Sequence, residues 1–147
     1  MLNTDSLKAR PKAASPVSYG FERRLEQGTV EEAVARVTTA LRNEGFGVLT
    51  TIDIRDTLKK KLNAEFRPYI ILGACNPTLA HKALTVDPQI GLLLPCNVVV
   101  QAAPEGGGVV VSIADPRAMF RIVDNPELTP VVDEADQRLR RVIASIG

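Results

Sequence analysis

The 147-residue sequence has few of the side chains on which recognisable binding sites are usually built. It contains two cysteines, one histidine and no tryptophan, and aromatic residues make up 4% of the chain. Its net charge of +1 gives no basic excess to attract a phosphate backbone, and few aromatic rings can stack on bases. No nucleic-acid partner is therefore predicted. No apolar run approaches the roughly 20 residues of a membrane-spanning helix, so no membrane partner is predicted either.

Common enzyme motifs and an export signal are also missing from the sequence. No phosphate-binding loop, dinucleotide-binding fingerprint or hydrolase nucleophile elbow occurs, and the run Gly106–Gly108 after Pro104 is typical of a turn. The N-terminus has no apolar central region and so does not read as a secretory signal. These features predict a cytoplasmic protein, in which thiols are kept reduced and a permanent disulfide is not expected. The sequence identifies no cofactor.

The overall composition is typical of one globular domain. Hydrophobic residues make up 45% and charged residues 24% of the chain, which is long enough to bury a core without disulfides. Residues 1–16 are polar and rich in alanine, proline and lysine, which predicts a flexible N-terminal lead-in. Residues 17–147 are predicted to form a single α+β domain.

Hydrophobic periodicity predicts a mainly antiparallel or mixed sheet of about five strands with helices packed on it. The predicted strands cover residues 17–25, 47–54, 68–74, 97–102 and 109–114. One helix opens at Thr29, where Glu32 completes a capping box, and ends at Gly45. Further helices are predicted after Asp56 and Asn76, with a short helical piece from Arg117 and a last amphipathic helix near the C-terminus.

For three of the predicted strands, the sequence also predicts which side chains share a face or are buried. In the first strand, alternation places Val17, Tyr19 and Phe21 on the buried side. In the second strand, Val48, Ile52 and Ile54 share one face. The third strand, 68–74, is apolar on both faces and is predicted to be a central strand covered on both sides.

The two cysteines occur in matching surroundings, each followed directly by asparagine. Cys75 and Asn76 end one predicted strand, while Cys96 and Asn97 begin the next. If these strands are antiparallel neighbours, both thiols lie at the same end of the sheet. Cys75 also precedes a helix N-terminus, whose dipole lowers the pKa of a thiol that points along the helix axis.

Structural packing explains the same residues without any chemistry. Free cysteines are among the most buried residue types, and both thiols lie in apolar segments. Asn76 is explained as a helix N-cap, and Asn97 as a hydrogen-bonding residue at the start of a strand. His81 lies away from the helical arc that Leu79, Ala80, Ala83 and Leu84 define, so a catalytic pair or zinc site with the cysteines is disfavoured.

Residues 21–146 resemble the bacterial and archaeal family called domain of unknown function 302, in the subgroup with ACNP and LPCN motifs. The segments that carry the resemblance are Ile52-Asp53, Lys61-Leu62, 69–77, Ala80-His81, Ala83-Leu84, 90–98 and Asp115-Pro116. The resemblance implies a small α+β domain that tends to form homodimers, and it implies no substrate, reaction or cofactor. It draws attention to Cys75, Asn76, His81, Cys96 and Asn97 as candidate ligand-binding residues.

Three functions fit these observations. The first is a homodimeric binding or sensing module that takes a small molecule or a soft metal ion near Cys75 and Cys96. The second is a thiol-dependent enzyme or redox protein that uses the same two cysteines. The third is a structural or interaction domain in which the cysteines only pack.

Overall fold

A five-stranded antiparallel sheet organises the computed structural model of the protein, which describes residues 18–147. The predicted flexible lead-in, residues 1–16, lies outside the described residues. Along the chain the strands are β1 (Gly20–Leu25), β2 (Gly47–Asp53), β3 (Tyr69–Cys75), β4 (Cys96–Ala102) and β5 (Val109–Ala114). They lie side by side in the order β1-β5-β4-β3-β2, and every neighbouring pair is antiparallel. The predicted single-domain α+β class is confirmed.

Five α-helices and two 3₁₀-helices lie between and after the strands in residues 18–147. The helices are α1 (Val30–Asn43), α2 (Ile54–Leu62), α3 (Pro77–Val86), α4 (Pro116–Phe120) and α5 (Thr129–Ser145), with 3₁₀-helices at Pro88–Leu93 and Pro126–Leu128. Within residues 18–147, no helix combines the length and the apolar character that crossing a membrane requires.

Helices α1 and α5 cover one face of the sheet and form the main core with it. Leu41 and Leu139, one from each helix, are fully buried against Val98 and Val111 in the centre of the sheet. Helix α1 begins where the sequence predicts, because Thr29 Oγ1 accepts from Glu32 N at 3.1 Å in a complete capping box.

A second, smaller core closes one end of the sheet. Its fully or nearly buried residues are Leu79, Ala83, Ile90, Leu128, Val131, Val132 and Ala135. The N-terminal half of α5 packs into this second core, while Leu139 and Val142 further along the same helix pack into the main core. Helix α5 therefore joins the two cores, and the start of β4 lies where they meet.

The opposite face of the sheet is more exposed. Alternation along a strand directs Ile71 and Val99 to this face, where both are half-buried, while Asn97 on the same face is exposed. Glu22 of β1 also lies on this side, and burial raises the pKa of its carboxyl. The prediction that β3 is covered on both sides is therefore wrong for its first half.

Two predictions about strand faces are corrected at the N-terminal side of the fold. Tyr19 is 61% exposed and precedes β1, so it is not an inward-facing strand residue, whereas Phe21 does pack against the main core. Val48 pairs with Ala74 on the helix-covered side, but a bulge follows, and Ile52 pairs with Ile71 on the opposite side. Because a bulge adds one residue, it reverses the faces of everything after it, and Ile52 is 45% exposed.

Helix α2 begins earlier than predicted. Asp53 is its N-cap and accepts a hydrogen bond from Asp56 N at 2.9 Å, so Asp56 lies in the first turn and does not cap the helix. Ile54, predicted to be a strand residue, is the first residue of this helix. None of the α2 side chains is fully buried, and Leu62 at the end of the helix is exposed.

Candidate functional site

The two cysteine segments meet at one end of the sheet, as predicted. Strands β3 and β4 are antiparallel neighbours, with Ala74 opposite Cys96 and Gly73 opposite Asn97. Both cysteines are free thiols. Strand β4 begins at Cys96 itself, one residue earlier than predicted, so this thiol is part of the sheet.

The two thiols are close neighbours at this end of the sheet. Cys96 lies on the helix-covered side with Ala74 and packs against the main core. Cys75, the residue after Ala74, ends β3 and borders the same small cavity as Cys96. The two neighbouring cysteines form no disulfide with each other.

Cys96 lines a small internal cavity of about 40 Å³ between the sheet end, α3, α4 and α5. The lining residues are Phe46, Ala74, Cys75, Asn76, Leu79, Ala80, Ala83, Leu94, Cys96, Pro116, Phe120, Val131, Val132 and Ala135. No charged side chain is among them, and the volume is enough for about one water molecule or one methyl-sized group. The cavity is therefore an apolar space that only a small part of a ligand can enter as it stands.

Asn76 is the one amide on the cavity wall, and it has a structural role. It is 9% exposed, and its Oδ1 accepts from Leu79 N at 3.1 Å as the predicted N-cap of α3. A Cβ at Gly45 would lie 2.9 Å from Asn76 Nδ2, and Gly45 has a φ of +83°. Gly45 therefore ends α1 and leaves room for the Asn76 amide.

A surface cleft of about 210 Å³ lies beside the internal cavity, around the end of the sheet. It is lined by Leu92, Leu93, Leu94, Pro95, Cys96, Asn97, Ala114, Pro116, Met119 and Phe120. Four residues border both spaces: Leu94, Cys96, Pro116 and Phe120. A molecule in this cleft, called the Met119 cleft below, is thus one side chain away from the internal cavity.

Burial makes both thiols weaker acids than free cysteine. Loss of hydration, together with the nearby Cys75 thiol, raises the pKa of Cys96 to about 11. Burial also raises the pKa of Cys75. The predicted lowering of the Cys75 pKa by the α3 N-terminus is therefore wrong in direction, because desolvation is the largest contribution. Neutral thiols are poor nucleophiles and poor ligands for soft metals.

The raised pKa of Cys96 predicts a loss of stability at alkaline pH. Unfolding restores an ordinary thiol, with a pKa of about 8.5, so the folded state gains from the protonated thiol below that pH. This gain is lost as the pH rises through the folded-state pKa of about 11. Urea unfolding at pH 8 and pH 10.5 is expected to show a larger decrease for wild type than for Cys96→Ser. An equal decrease in both proteins would contradict the assignment.

His81 does not join the cysteines. It is exposed on α3, as the helical phase predicts, and it is not among the residues that line the cavity or the Met119 cleft. Leu84, predicted to share the buried arc, is 40% exposed. Among residues 18–147, no group of three or more histidine, cysteine, aspartate or glutamate side chains is arranged to hold a metal ion.

A larger groove of about 560 Å³ lies at the other side of the fold, beside β1 and the start of α1. Three arginines line it, but two of them serve the fold. Arg23 donates to the carbonyls of Ile143 and Ala144, and Arg24 pairs with Glu105 in the hairpin loop. Glu26 and Glu32 also line the groove, so its charge is mixed. We therefore place the candidate site at Cys96 rather than in the larger groove.

The sequence alone missed most walls of the site. Phe46, Phe120 and the adjacent Val131 and Val132 come from three different places along the chain and are indistinguishable from ordinary core residues. One weak signal was present: Asp115-Pro116 begins a helix, with Asp115 Oδ1 accepting from Arg117 N at 2.9 Å. That capped start brings Pro116 and Phe120 against the cavity.

Comparison with known proteins agrees with this fold. The family described as "Domain of unknown function DUF302" matches residues 21–146. The crystal structure of an uncharacterised conserved DUF302 protein from Bacillus stearothermophilus is similar, with a TM-score of 0.78 and 26% sequence identity. The similarity covers 87% of this chain and 98% of that chain. No curated protein matches the sequence.

Proposed function

The chain belongs to the domain of unknown function 302 family, and from that premise we propose that it is a cytoplasmic, homodimeric binding domain for a small uncharged molecule. The proposed site is the Met119 cleft together with the internal cavity behind Cys96. The observation that carries the proposal is that the two spaces adjoin each other and share four wall residues, Leu94, Cys96, Pro116 and Phe120. Apolar concave sites with a few polar groups are the usual form of small-molecule sites.

The chemistry of the walls argues for an uncharged, narrow ligand. The walls of both spaces carry no ionisable side chain other than the thiols, and the pKa of about 11 keeps Cys96 neutral. An ionised ligand would lose its hydration there without gaining a partner, which is unfavourable. Asn97 is exposed at the rim of the cleft and offers an amide to a hydroxyl or carbonyl group. An alkyl group that bears one such polar end fits these walls best.

Self-association through the exposed face of the sheet is the second part of the proposal. Ile71 and Val99 form a half-buried apolar strip beside the exposed Ile52. The raised pKa of Glu22 on the same side is consistent with a poorly hydrated surface. A second copy of the chain, placed on this strip, would remove it from water.

The proposal is tested with 1-hexanol as the probe. Titration of the ¹⁵N-labelled protein is expected to shift the NMR signals of residues around Leu79, Cys96 and Met119. Ala80→Leu fills the internal cavity and is expected to weaken binding about fourfold, since the added side chain excludes the one methyl-sized group that the cavity holds. Ala35→Leu, the same change on the exposed side of α1, is the control.

Two results would overturn the proposal. One is unchanged hexanol affinity in Ala80→Leu, and the other is a set of shifts confined to residues away from the cleft. Native mass spectrometry of the same samples is expected to give twice the 15.9 kDa mass of the chain. Val99→Lys is expected to return the chain to a monomer, because it places a charge in the strip. A monomeric wild type would remove the homodimer from the proposal.

The two other hypotheses make different predictions for the thiols. A thiol-dependent enzyme needs a cysteine that alkylates well below the ordinary pKa of about 8.5, and the raised pKa values of Cys75 and Cys96 argue against one. A purely structural role predicts that the double variant Cys75→Ser, Cys96→Ser keeps its assembly and that no variant of the cavity changes hexanol binding.

A further inference from the structure

One side chain borders three separate spaces at this end of the molecule. Phe120 lines the internal cavity, the Met119 cleft and a third, surface cleft of about 360 Å³. The third cleft also contains Arg117, Arg121, Asp124 and Asp133. No other residue in the described part of the chain lines all three. Phe120 thus stands between the small apolar cavity and the two clefts beside it.

The position of Phe120 in the chain suits it to move. It is the last residue of α4, a five-residue helix, and is half-buried against the second core. Asp124, four residues later, has a left-handed φ of 53°, so the chain turns sharply after the helix. Of the other three residues that border both the cavity and the Met119 cleft, Pro116 is cyclic, Cys96 is held in a strand, and the backbone N–H of Leu94 donates to Gly91 O at 3.2 Å.

We propose that Phe120 is the specificity-determining residue of the site and sets the maximum length of the bound alkyl chain. The inference rests on the proposed function and deepens it. With the ring in its present position, only about 40 Å³ is accessible behind it, room for the tip of a ligand. When the ring turns aside, the Met119 cleft and the internal cavity form one continuous channel, and an unbranched chain of several CH₂ groups fits along it.

The third cleft is the less favourable entrance for such a chain. Arg117 forms ion pairs with Asp133 and with the buried Asp136 at 3.4 and 3.5 Å, and these charged groups retain water at that mouth. The Met119 cleft is lined by leucine, proline, methionine and phenylalanine, with Asn97 as its polar residue. An unbranched, uncharged amphiphile therefore enters from the Met119 side, with its polar end at Asn97.

The test compares 1-butanol, 1-hexanol and 1-octanol in wild type and in Phe120→Ala. Each CH₂ that becomes buried strengthens binding about fourfold. In wild type, affinity is expected to stop rising with chain length once the accessible space is filled. In Phe120→Ala it is expected to keep rising, so that the octanol-to-butanol affinity ratio exceeds the wild-type ratio by about tenfold or more. NMR titration of the ¹⁵N-labelled proteins gives each affinity.

Two further variants keep the test decisive. Ile122→Ala removes an exposed apolar side chain two residues from Phe120 that lines none of the three spaces, and it is expected to leave the affinity ratio as in wild type. If Phe120→Ala does not give a folded spectrum, Phe120→Leu, which keeps most of the packing, is expected to show a smaller rise in the same direction.

The outcomes separate this inference from the function on which it rests. Equal ratios in wild type and the Phe120 variants, with hexanol still bound at the cleft, would overturn the role of Phe120 and leave the binding function standing. Binding that appears only in the Phe120 variants would support the partition while refuting the proposed function of the wild-type chain. Absence of binding in every protein would overturn both.

Discussion

Phe46→Ala is expected to lower the free energy of unfolding by about 3–5 kcal/mol, the range for removing a large buried aromatic side chain. Phe46 is 2% exposed, belongs to the main core and lines the internal cavity. Its backbone N–H donates to Leu41 O at 2.8 Å, so the chain is held at the end of α1 and cannot easily collapse into the space. The truncation therefore combines lost apolar burial with an enlarged cavity.

Urea unfolding followed by circular dichroism measures this loss, and Phe66→Ala is its control. Phe66 is half-buried and contacts the Arg67 guanidinium and the Tyr69 ring outside the two cores. Its removal is expected to cost only about 1 kcal/mol, the worth of such aromatic contacts. Similar losses in the two variants would mean that Phe46 does not support the cavity as described.

Gly73→Ala is expected to destabilise the fold by about 1–3 kcal/mol, because the new methyl group has no room. A Cβ at Gly73 would lie 2.9 Å from Pro95 Cγ and would also overlap the Thr50 hydroxyl. The hydroxyl can rotate away, but the proline ring is rigid and belongs to the segment that leads into Cys96. Gly73 is thus needed because Pro95 packs directly on β3.

The control for this prediction is Gly47→Ala in the neighbouring strand. A Cβ at Gly47 has no atom within 4 Å, and its φ lies outside the left-handed region, so alanine is expected to be neutral or slightly stabilising there. Both changes are made in β-strands, so the intrinsic preference of the residue is matched. Equal stabilities of the two variants, measured by urea unfolding, would show that Pro95 and Thr50 can move aside at no cost.

Local signals in the sequence predicted the starts of helices well wherever the residues present are typical of a helix N-cap. Thr29 with Glu32 predicted the start of α1, and Asn76 with Pro77 predicted the start of α3, because a cap depends only on residues within one turn. The errors came where a longer-range feature intervened. The bulge after Val48 reversed which side chains of β2 lie on the helix-covered side, and no residue in that segment predicts the bulge.

The candidate site was also predictable from the sequence only in part. Antiparallel pairing of β3 and β4 brings Cys75 and Cys96 to one sheet end, and this pairing entered the sequence argument only as a condition. The direction of the pKa shift at Cys75 was not predictable, since it depends on how much water the folded chain leaves around the sulfur. That both thiols border one cavity became visible only once the strand register and the helix packing were known.

The sequence by itself determined the scarcity of reactive groups, the α+β class and the position of each Cys-Asn segment at the end or start of a strand. These follow from composition and from periodicities that span only a few residues. The tertiary structure decided that the two segments meet at one sheet end, that Cys96 lines an apolar cavity there, that His81 stays outside it, and that Phe120 lies between it and two clefts. A cavity is the space that distant segments leave between them, so no single stretch of sequence encodes it.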